Sequence, residues 1–426
     1  MELAGKILGC WCKAKPTNPC HGDVLASIAD GVVTPTLQGL LAARKSVTII
    51  PRSMASSFAS SSLKENESSR VMTEGPSPRV LLDRVRGGFF GLALGDALGV
   101  PHEVTRFNKG LYTGHLYLRA RHHSRFHGMR TMGVGQNSDD TEMAIVLAQA
   151  LVEGQGWKEE VVIRHYLEWA NSGTPWMGKQ TRALFTGITT HSGFTRRYVK
   201  MTTMDPAAMR TLLITDVASP AEQYQSNGSL MRCFPLACVW NAEVGGSDAA
   251  LTNPSSVNHA IGIYYTGLLR LALTGAPAAE VWEKAVATAF HPEIVRVVAA
   301  VSEGEAWTLA DTPRIKAKGW VVNALYAGMY CLRAMVVQPE LTFGDLMRWV
   351  IHDHPGSDTD TNAAIAGCLI GSMMGWDALL EQEKVNIDIM LSESETDMPR
   401  PSRYQPSQIE TLCQKLTQLS GVVICD

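Results

Sequence analysis

Apolar residues recur at intervals of three and four along most of the chain, a spacing typical of helices with a buried face. The pattern predicts helices at residues 80–98, 141–153, 257–274, 277–290, 321–337 and 361–375. Glycine, proline, serine and asparagine are frequent between them, and no segment alternates apolar and polar residues convincingly enough to predict a strand. Residues 79–426 are therefore predicted to form one all-α domain.

Two of the predicted helices are unusually rich in glycine. The first carries Gly87, Gly88, Gly91 and Gly95, and the last has glycines at four-residue intervals from position 367 to 375. Glycine weakens an isolated helix by up to ~1 kcal/mol per site, so such stripes need a compensating advantage. They predict helices whose backbones pack closely against neighbours.

The first 78 residues differ in composition from the remainder. Residues 53–69 are dominated by serine and small side chains, and residues 31–64 contain no acidic residue. A basic, serine-rich and acid-poor segment is typical of an organelle transit peptide, although a disordered tail has a similar composition. We therefore expect residues 1–78 to be an extension outside the helical domain. The expected compartment is the cytoplasm, with organellar import as the alternative.

Global composition excludes several classes of protein. With 426 residues, 45% of them hydrophobic, the chain can bury a large core. Its net charge of -3 gives no indication of a nucleic-acid or membrane-surface partner. The nine cysteines have no regular spacing, which argues against a disulfide framework and favours a reducing compartment. No apolar run reaches the ~20 residues that a membrane span needs.

Two short acidic clusters, at residues 138–141 and 358–361, stand immediately before predicted helices. Each cluster combines aspartates with serine or threonine, and the side-chain oxygens of these residue types are preferred at helix N-caps. One carboxylate would be enough to cap a helix. Two carboxylates in each cluster bring like charges together, which indicates that a bound cation offsets their repulsion. If the clusters converge, their oxygen-only donors suit magnesium, manganese or calcium rather than zinc. Spacing alone leaves both capping and metal binding open.

Four segments together resemble the ADP-ribosylglycohydrolase family: residues 88–103, 138–141, 226–232 and 356–361, which occur in family order. The resemblance implies a compact, roughly orthogonal multi-helix bundle with a central binuclear metal cleft. It also implies a hydrolase that uses two divalent cations, Mg²⁺ or Mn²⁺, to cleave the glycosidic bond between ADP-ribose and an acceptor. The expected partner is an ADP-ribosylated protein or a small ADP-ribose conjugate.

The resemblance also assigns roles to individual residues. The implied metal-binding residues are Ser138, Asp139, Asp140, Asp358, Asp360 and Thr361. Ser138 departs from the family, in which threonine is more usual, but it retains the hydroxyl. Glu103 is implied to be a mobile acid/base or gating residue, and Asp360 competes with it for proton transfer. Asp96 is expected to have a structural or supporting role.

Further residues are implied to contact the nucleotide. The small-residue loop of Asn227, Gly228 and Ser229 is suited to presenting backbone amides to phosphate oxygens, although an ordinary turn has the same composition. The remaining candidates, from the same resemblance, are Met231, His259 and Gly178.

Two alternative functions stay open. A member of such a fold can lose catalysis and serve as an ADP-ribose-binding or structural protein. His352-Asp353, with His291 upstream, also admits an HD-type metal phosphohydrolase. The acceptor linkage is undetermined because it depends on loops such as residues 107–135, and the arginine- and histidine-rich stretch 119–130 is expected to be a solvated loop.

Overall fold

The computed structural model describes residues 76–103, 112–118, 121–124, 128–203, 224–239, 241, 243–304, 307, 319–354, 358–392 and 395–420. The predicted extension, residues 1–78, therefore lies almost wholly outside the described residues.

Fourteen α-helices account for most of the described residues, which confirms the all-α class. They are α1 (Pro78–Glu103), α2 (Asp139–Gly154), α3 (Glu159–Ala170), α4 (Lys179–Phe185), α5 (His191–Thr203), α6 (Val244–Thr252), α7 (Ser256–Leu273), α8 (Ala278–Ala287), α9 (Pro292–Glu303), α10 (Val321–Val337), α11 (Phe343–Arg348), α12 (Thr359–Met374), α13 (Trp376–Leu391) and α14 (Ile409–Leu419). Each predicted helix is present, with ends that differ by a few residues, as helix ends commonly do. No helix among them combines the length and hydrophobicity that a membrane crossing requires.

A short hairpin interrupts the helical pattern, and here the sequence prediction is wrong. Strands β1 (Arg121–Ser124) and β2 (Gly128–Thr131) pair antiparallel, with Arg121 opposite Thr131. From the sequence alone, residues 119–130 are predicted to be a solvated loop. Strands of four residues are too short to show an alternating pattern, and backbone hydrogen bonds hold the pair without one.

Helices α1 and α12 pack antiparallel through their glycine stripes, which confirms the predicted close approach. A Cβ atom on Gly91 would lie 2.3 Å from the carbonyl oxygen of Gly367, and one on Gly367 would lie 2.3 Å from that of Gly91. At one end of the pair Gly87 faces Gly371, and at the other a Cβ on Gly99 would lie 2.4 Å from the Cα of Asp360. The end of α1 therefore lies beside the start of α12.

Helix α2 begins against the middle of α1. The side-chain amide of Asn137 donates to the carbonyl oxygen of Ala93 at 2.6 Å and to Thr141 Oγ1 at 2.9 Å. Because Asn137 immediately precedes the capping residue Ser138, these bonds fix the first turn of α2 beside α1. Both acidic clusters thus start their helices next to the C-terminal half of α1.

Candidate functional site

The start of α2 is held by a carboxylate from α1. Asp96 accepts hydrogen bonds from the backbone N–H groups of Ser138 (3.0 Å) and Thr141 (3.2 Å). It also accepts from the hydroxyls of the same two residues, at 2.8 and 2.6 Å. The Ser138 hydroxyl caps the helix by accepting from the backbone N–H of Asp140. The capping role left open by the sequence therefore applies to Ser138.

The start of α12 is organised differently. Asp358 occupies the N-cap position, but its side chain makes no capping hydrogen bond. Its Oδ2 instead accepts from the side-chain amide of Asn227 at 2.8 Å. Asp360, in the first turn, accepts from the backbone N–H of Thr361 at 2.9 Å. The carboxylate of Asp358 is thus oriented by a distant loop as well as by side-chain hydrogen bonds with Asp360 and Thr361 in the first turn of its own helix.

The two acidic clusters meet at the end of α1. Oxygen atoms of Asp96, Asp140 and Asp360 all lie within 4.8 Å of one another, and so do those of Glu103, Asp358 and Asp360. Asp360 belongs to both groups, so its carboxylate stands between them. The sequence spacing left open whether the clusters converge, and the structure brings them together as the family resemblance implies.

Burial and mutual repulsion raise the pKa values of these carboxyl groups. Burial, followed by the charges of Asp96 and Asp139, raises the pKa of Asp140 well above its usual value. Burial and the charges of Glu103 and Asp140 do the same to the pKa of Asp360. Burial also raises the pKa of Asp358, opposed by its hydrogen bond from Asn227. Buried carboxylates this close together require protons or a cation to offset their repulsion.

The donor atoms fit a hard divalent cation. Oδ1 of Asp140 is buried and accepts no hydrogen bond from the described residues. The two groups of three contain only carboxylate oxygens. Oxygen donors of this kind suit Mg²⁺, Mn²⁺ or Ca²⁺. The residues that could hold the ions are Asp96, Glu103, Asp140, Asp358 and Asp360.

Asp139 and Asp96 differ from their expected roles in one respect each: Asp139 lies outside the two groups, and Asp96 adds membership of one group to the structural role expected of it. Asp139 belongs to neither group of three, although the charges of Asp96, Glu142 and Glu103 help to raise its pKa after burial. Asp96, expected in a supporting role, belongs to a group and also holds the first turn of α2. One signal could have revealed it: Asp96 and Glu103 are seven residues apart, two turns along one face of a helix.

The predicted nucleotide loop is tied into the protein by its polar groups. The backbone N–H of Asn227 donates to the carbonyl oxygen of Gly319 at 2.9 Å, and the Ser229 hydroxyl accepts from Asn258 at 3.0 Å. Met231 is buried. The backbone N–H of Asn227 already donates to Gly319, so the predicted phosphate contact would be made by the backbone N–H groups of Gly228 and Ser229. The link from Asn227 to Asp358 was not foreseen.

The other two nucleotide candidates lie outside the acidic groups. His259 is exposed on α7, and its ring packs over Gly246, where a Cβ would lie 2.7 Å from Nε2. Gly178 immediately precedes α4, and a Cβ there would meet nothing within 4 Å. Open space at this position is compatible with a ligand, and both assignments stay predictions.

The residues of the HD-type alternative do not assemble. His352 and Asp353 pair with each other at 2.8 Å, and their side chains are 50% and 57% exposed. His291 caps α9 by accepting from the backbone N–H of Glu293. None of the three belongs to a carboxylate or histidine group able to hold a metal in the described part of the chain.

A family model described as ADP-ribosylglycohydrolase matches residues 77–419, and a second, for a domain of unknown function, matches residues 1–31. The Acanthamoeba polyphaga mimivirus protein named ADP-ribosyl glycohydrolase L543 is 24% identical to this chain over 313 residues. The match covers 68% of this chain and 86% of that protein. The ADP-ribosylarginine hydrolase Tri1 of Pseudomonas putida (strain GB-1) is 24% identical over 318 residues, 70% and 72% of the two chains.

A solved structure titled as an ADP-ribosylglycohydrolase-related protein complex shares the fold. Its chain superposes with a TM-score of 0.51 at 22% identity, and the match covers 80% of this chain and 99% of that chain. At this level of identity the likeness concerns the architecture alone.

Proposed function

The chain belongs to the ADP-ribosylglycohydrolase family, and on this premise we propose that it is a divalent-metal-dependent hydrolase that releases ADP-ribose from a protein side chain or a small acceptor. The observation that carries the proposal is the pair of three-carboxylate groups that share Asp360. Asp96, Asp140, Asp358, Asp360 and Glu103 would hold the cations, which would act as Lewis acids toward the substrate. The proposed ions are Mg²⁺ or Mn²⁺.

The reaction breaks the bond at the anomeric carbon of the ribose and builds positive charge on the sugar. Bound divalent cations would orient ribose hydroxyls and lower the pKa of a coordinated water. The carboxylates of Asp140 and Asp358 would add negative charge near the developing oxocarbenium. Their burial strengthens this interaction because little water screens it.

Proton transfer has two candidate residues. Glu103 is exposed at the end of α1 and stands within one carboxylate group, so it can reach both solvent and substrate. Asp360 is buried and belongs to both carboxylate groups, so as a proposed metal ligand it would be held deprotonated once the cations bind. An exposed group exchanges protons with solvent readily, which favours Glu103 as the acid/base.

The nucleotide would extend from this centre toward the 226–232 loop. Gly228 and Ser229 are proposed to present their amides to the diphosphate, with Met231, His259 and Gly178 on the nucleotide side. The name of the Pseudomonas relative places arginine-linked ADP-ribose first among the linkages to test. Serine-linked and small-molecule conjugates would use the same sugar and diphosphate contacts.

The test is a hydrolysis panel on the purified full chain. ADP-ribosylarginine, ADP-ribosylserine and a small ADP-ribose conjugate are each incubated with Mg²⁺, Mn²⁺ or chelator. We expect cation-dependent release of ADP-ribose from at least one substrate, lost in Asp360→Asn. Full activity in chelator would refute metal dependence. Stabilisation by Mn²⁺ plus ADP-ribose without any turnover would instead favour the non-catalytic binding protein.

A further inference from the structure

A fully buried ion pair connects Arg232, the last residue of the 226–232 loop, to Asp248 on helix α6. Arg232 and Asp248 are both 0% exposed, and Arg232 Nε donates to Asp248 Oδ2 at 2.9 Å. The other carboxylate oxygen accepts from the hydroxyl of Tyr166 at 2.6 Å, and the guanidinium lies 4.7 Å from the centre of the Tyr166 ring. The orientation of Arg232 is therefore fixed from two sides.

The remaining donors of Arg232 reach the loop and helix α6. Nη1 donates to the carbonyl oxygen of Gly228 at 2.9 Å. Nη2 donates to Thr252 Oγ1 at 2.9 Å and to the backbone carbonyl of Asp248 at 3.2 Å. One planar guanidinium thus connects the middle of the loop to two residues of α6.

From Gly228 the connection continues to the acidic centre. The carbonyl oxygen of the preceding residue, Asn227, accepts from the backbone N–H groups of Leu230 (2.8 Å) and Met231 (3.1 Å). The side chain of Asn227 then donates to Asp358. Space around this contact is limited, since a Cβ on Gly319 would lie 2.6 Å from Asp358 Oδ2. A small displacement of the loop would therefore displace the carboxylate.

We propose that Arg232, held by Asp248, is a positioning residue for the metal centre: it fixes the carbonyl of Gly228 and, through Asn227, the carboxylate of Asp358. This inference rests on the proposed function. Burial of an ion pair contributes little stability compared with apolar residues of the same volume, so stability alone does not account for it. The planar fork of arginine reaches four acceptor atoms on three residues in fixed directions, which lysine cannot do.

The experiment compares Arg232→Lys and Asn227→Ala with the matched control Tyr264→Phe in the full chain. Tyr264 is equally buried and donates one hydrogen bond to the carbonyl of Ala285. Loss of that hydrogen bond in Tyr264→Phe shows the effect of a similar destabilisation away from the 226–232 loop. Hydrogen exchange of the 226–232 segment is measured in chelator, and Mn²⁺ affinity is measured by titration. Thr252→Val, which removes one acceptor of Arg232, replaces Arg232→Lys if that variant does not fold.

We expect Arg232→Lys to accelerate exchange in the 226–232 segment, whereas Tyr264→Phe leaves it unchanged. Arg232→Lys and Asn227→Ala should each weaken Mn²⁺ binding about 10- to 100-fold, as loss of a residue that orients a metal ligand typically does. Because Arg232 acts through Asn227, the double variant should lose little more than Asn227→Ala alone. The inference would be overturned if the 226–232 segment of Arg232→Lys exchanged hydrogen at the wild-type rate, or if the losses of Mn²⁺ affinity in the two single variants added fully in the double variant. A wild-type chain that binds no Mn²⁺ would reject the proposed function, while the exchange result would still decide the positioning role.

Discussion

Gly99 lies directly against the backbone of Asp360, the residue shared by both carboxylate groups. A Cβ atom on Gly99 would come within 2.4 Å of the Asp360 Cα and 2.8 Å of its backbone nitrogen. Neither atom can move without moving the first turn of α12. The absence of one methyl group on α1 therefore determines where the shared carboxylate stands.

Gly99→Ala is expected to reduce both stability and cation binding. Overpacking of this kind costs about 1–3 kcal/mol, and here the displaced atoms belong to a proposed ligand. Gly87→Ala is the matched control because its Cβ would clash equally, 2.3 Å from the oxygen of Gly371, at the far end of the same helix pair. Urea unfolding and Mn²⁺ titration check the prediction. Equal loss of Mn²⁺ affinity in both variants would contradict it.

Stability in chelator should fall as pH rises. The carboxyls of Asp140 and Asp360 keep protons in the folded protein at pH values where the unfolded chain, with pKa values near 3.8, has released them. Their contribution is therefore complete below the unfolded pKa and is lost as pH rises through the raised folded pKa. We expect the melting temperature in chelator to decrease as pH rises from the unfolded pKa through the raised folded pKa, and less steeply in Asp140→Asn.

Added Mn²⁺ should oppose this trend, because metal ligands must be deprotonated and binding therefore strengthens with pH. The melting temperatures of wild type and Asp140→Asn, with and without Mn²⁺, provide the check. Identical pH dependence in wild type and variant in chelator would show that the buried carboxylates do not control stability.

Arg400→Ala is expected to be strongly destabilising. Arg400 donates to both carboxylate oxygens of Glu142, at 2.7 and 3.0 Å, and these side chains are only 6% and 3% exposed. Removing one partner of a buried pair leaves an uncompensated charge and costs about 3–5 kcal/mol. Arg86→Ala, which breaks the more exposed pair with Glu410, should cost at most about 1 kcal/mol. Urea unfolding measures both, and equal losses would contradict the assignment.

His352→Ala should leave hydrolysis of ADP-ribose conjugates close to wild type, because His352 is half exposed and its ion-pair partner among the described residues is its neighbour Asp353. A metal-ligating histidine would instead cost at least about 10- to 100-fold on substitution. Steady-state rates on the substrate identified by the panel check this, with Asp360→Asn as the inactive reference. A large loss in His352→Ala would restore the HD-type alternative.

Much of the fold follows from local features of the sequence. Helix periodicity identified α10 at its exact bounds and placed α2 and α12 within two residues of their starts. Glycine stripes predicted that α1 and α12 each approach a neighbouring backbone closely, because only residues without a side chain allow this, and the structure shows that they approach each other. The short strands β1 and β2 were missed, since their pairing depends on backbone bonds rather than on a side-chain pattern.

The sequence by itself identified candidate residues for the chemistry: two acidic clusters at helix starts and, through the family resemblance, the 226–232 loop and Glu103. Only the tertiary structure decided how they combine. It joined Asp360 to both carboxylate groups, brought Asp96 into one of them and turned Asn227 toward Asp358. Sequence spacing cannot specify such contacts between distant segments, because they depend on the relative placement of packed helices, and here that placement is fixed by the backbone contact of α1 with α12.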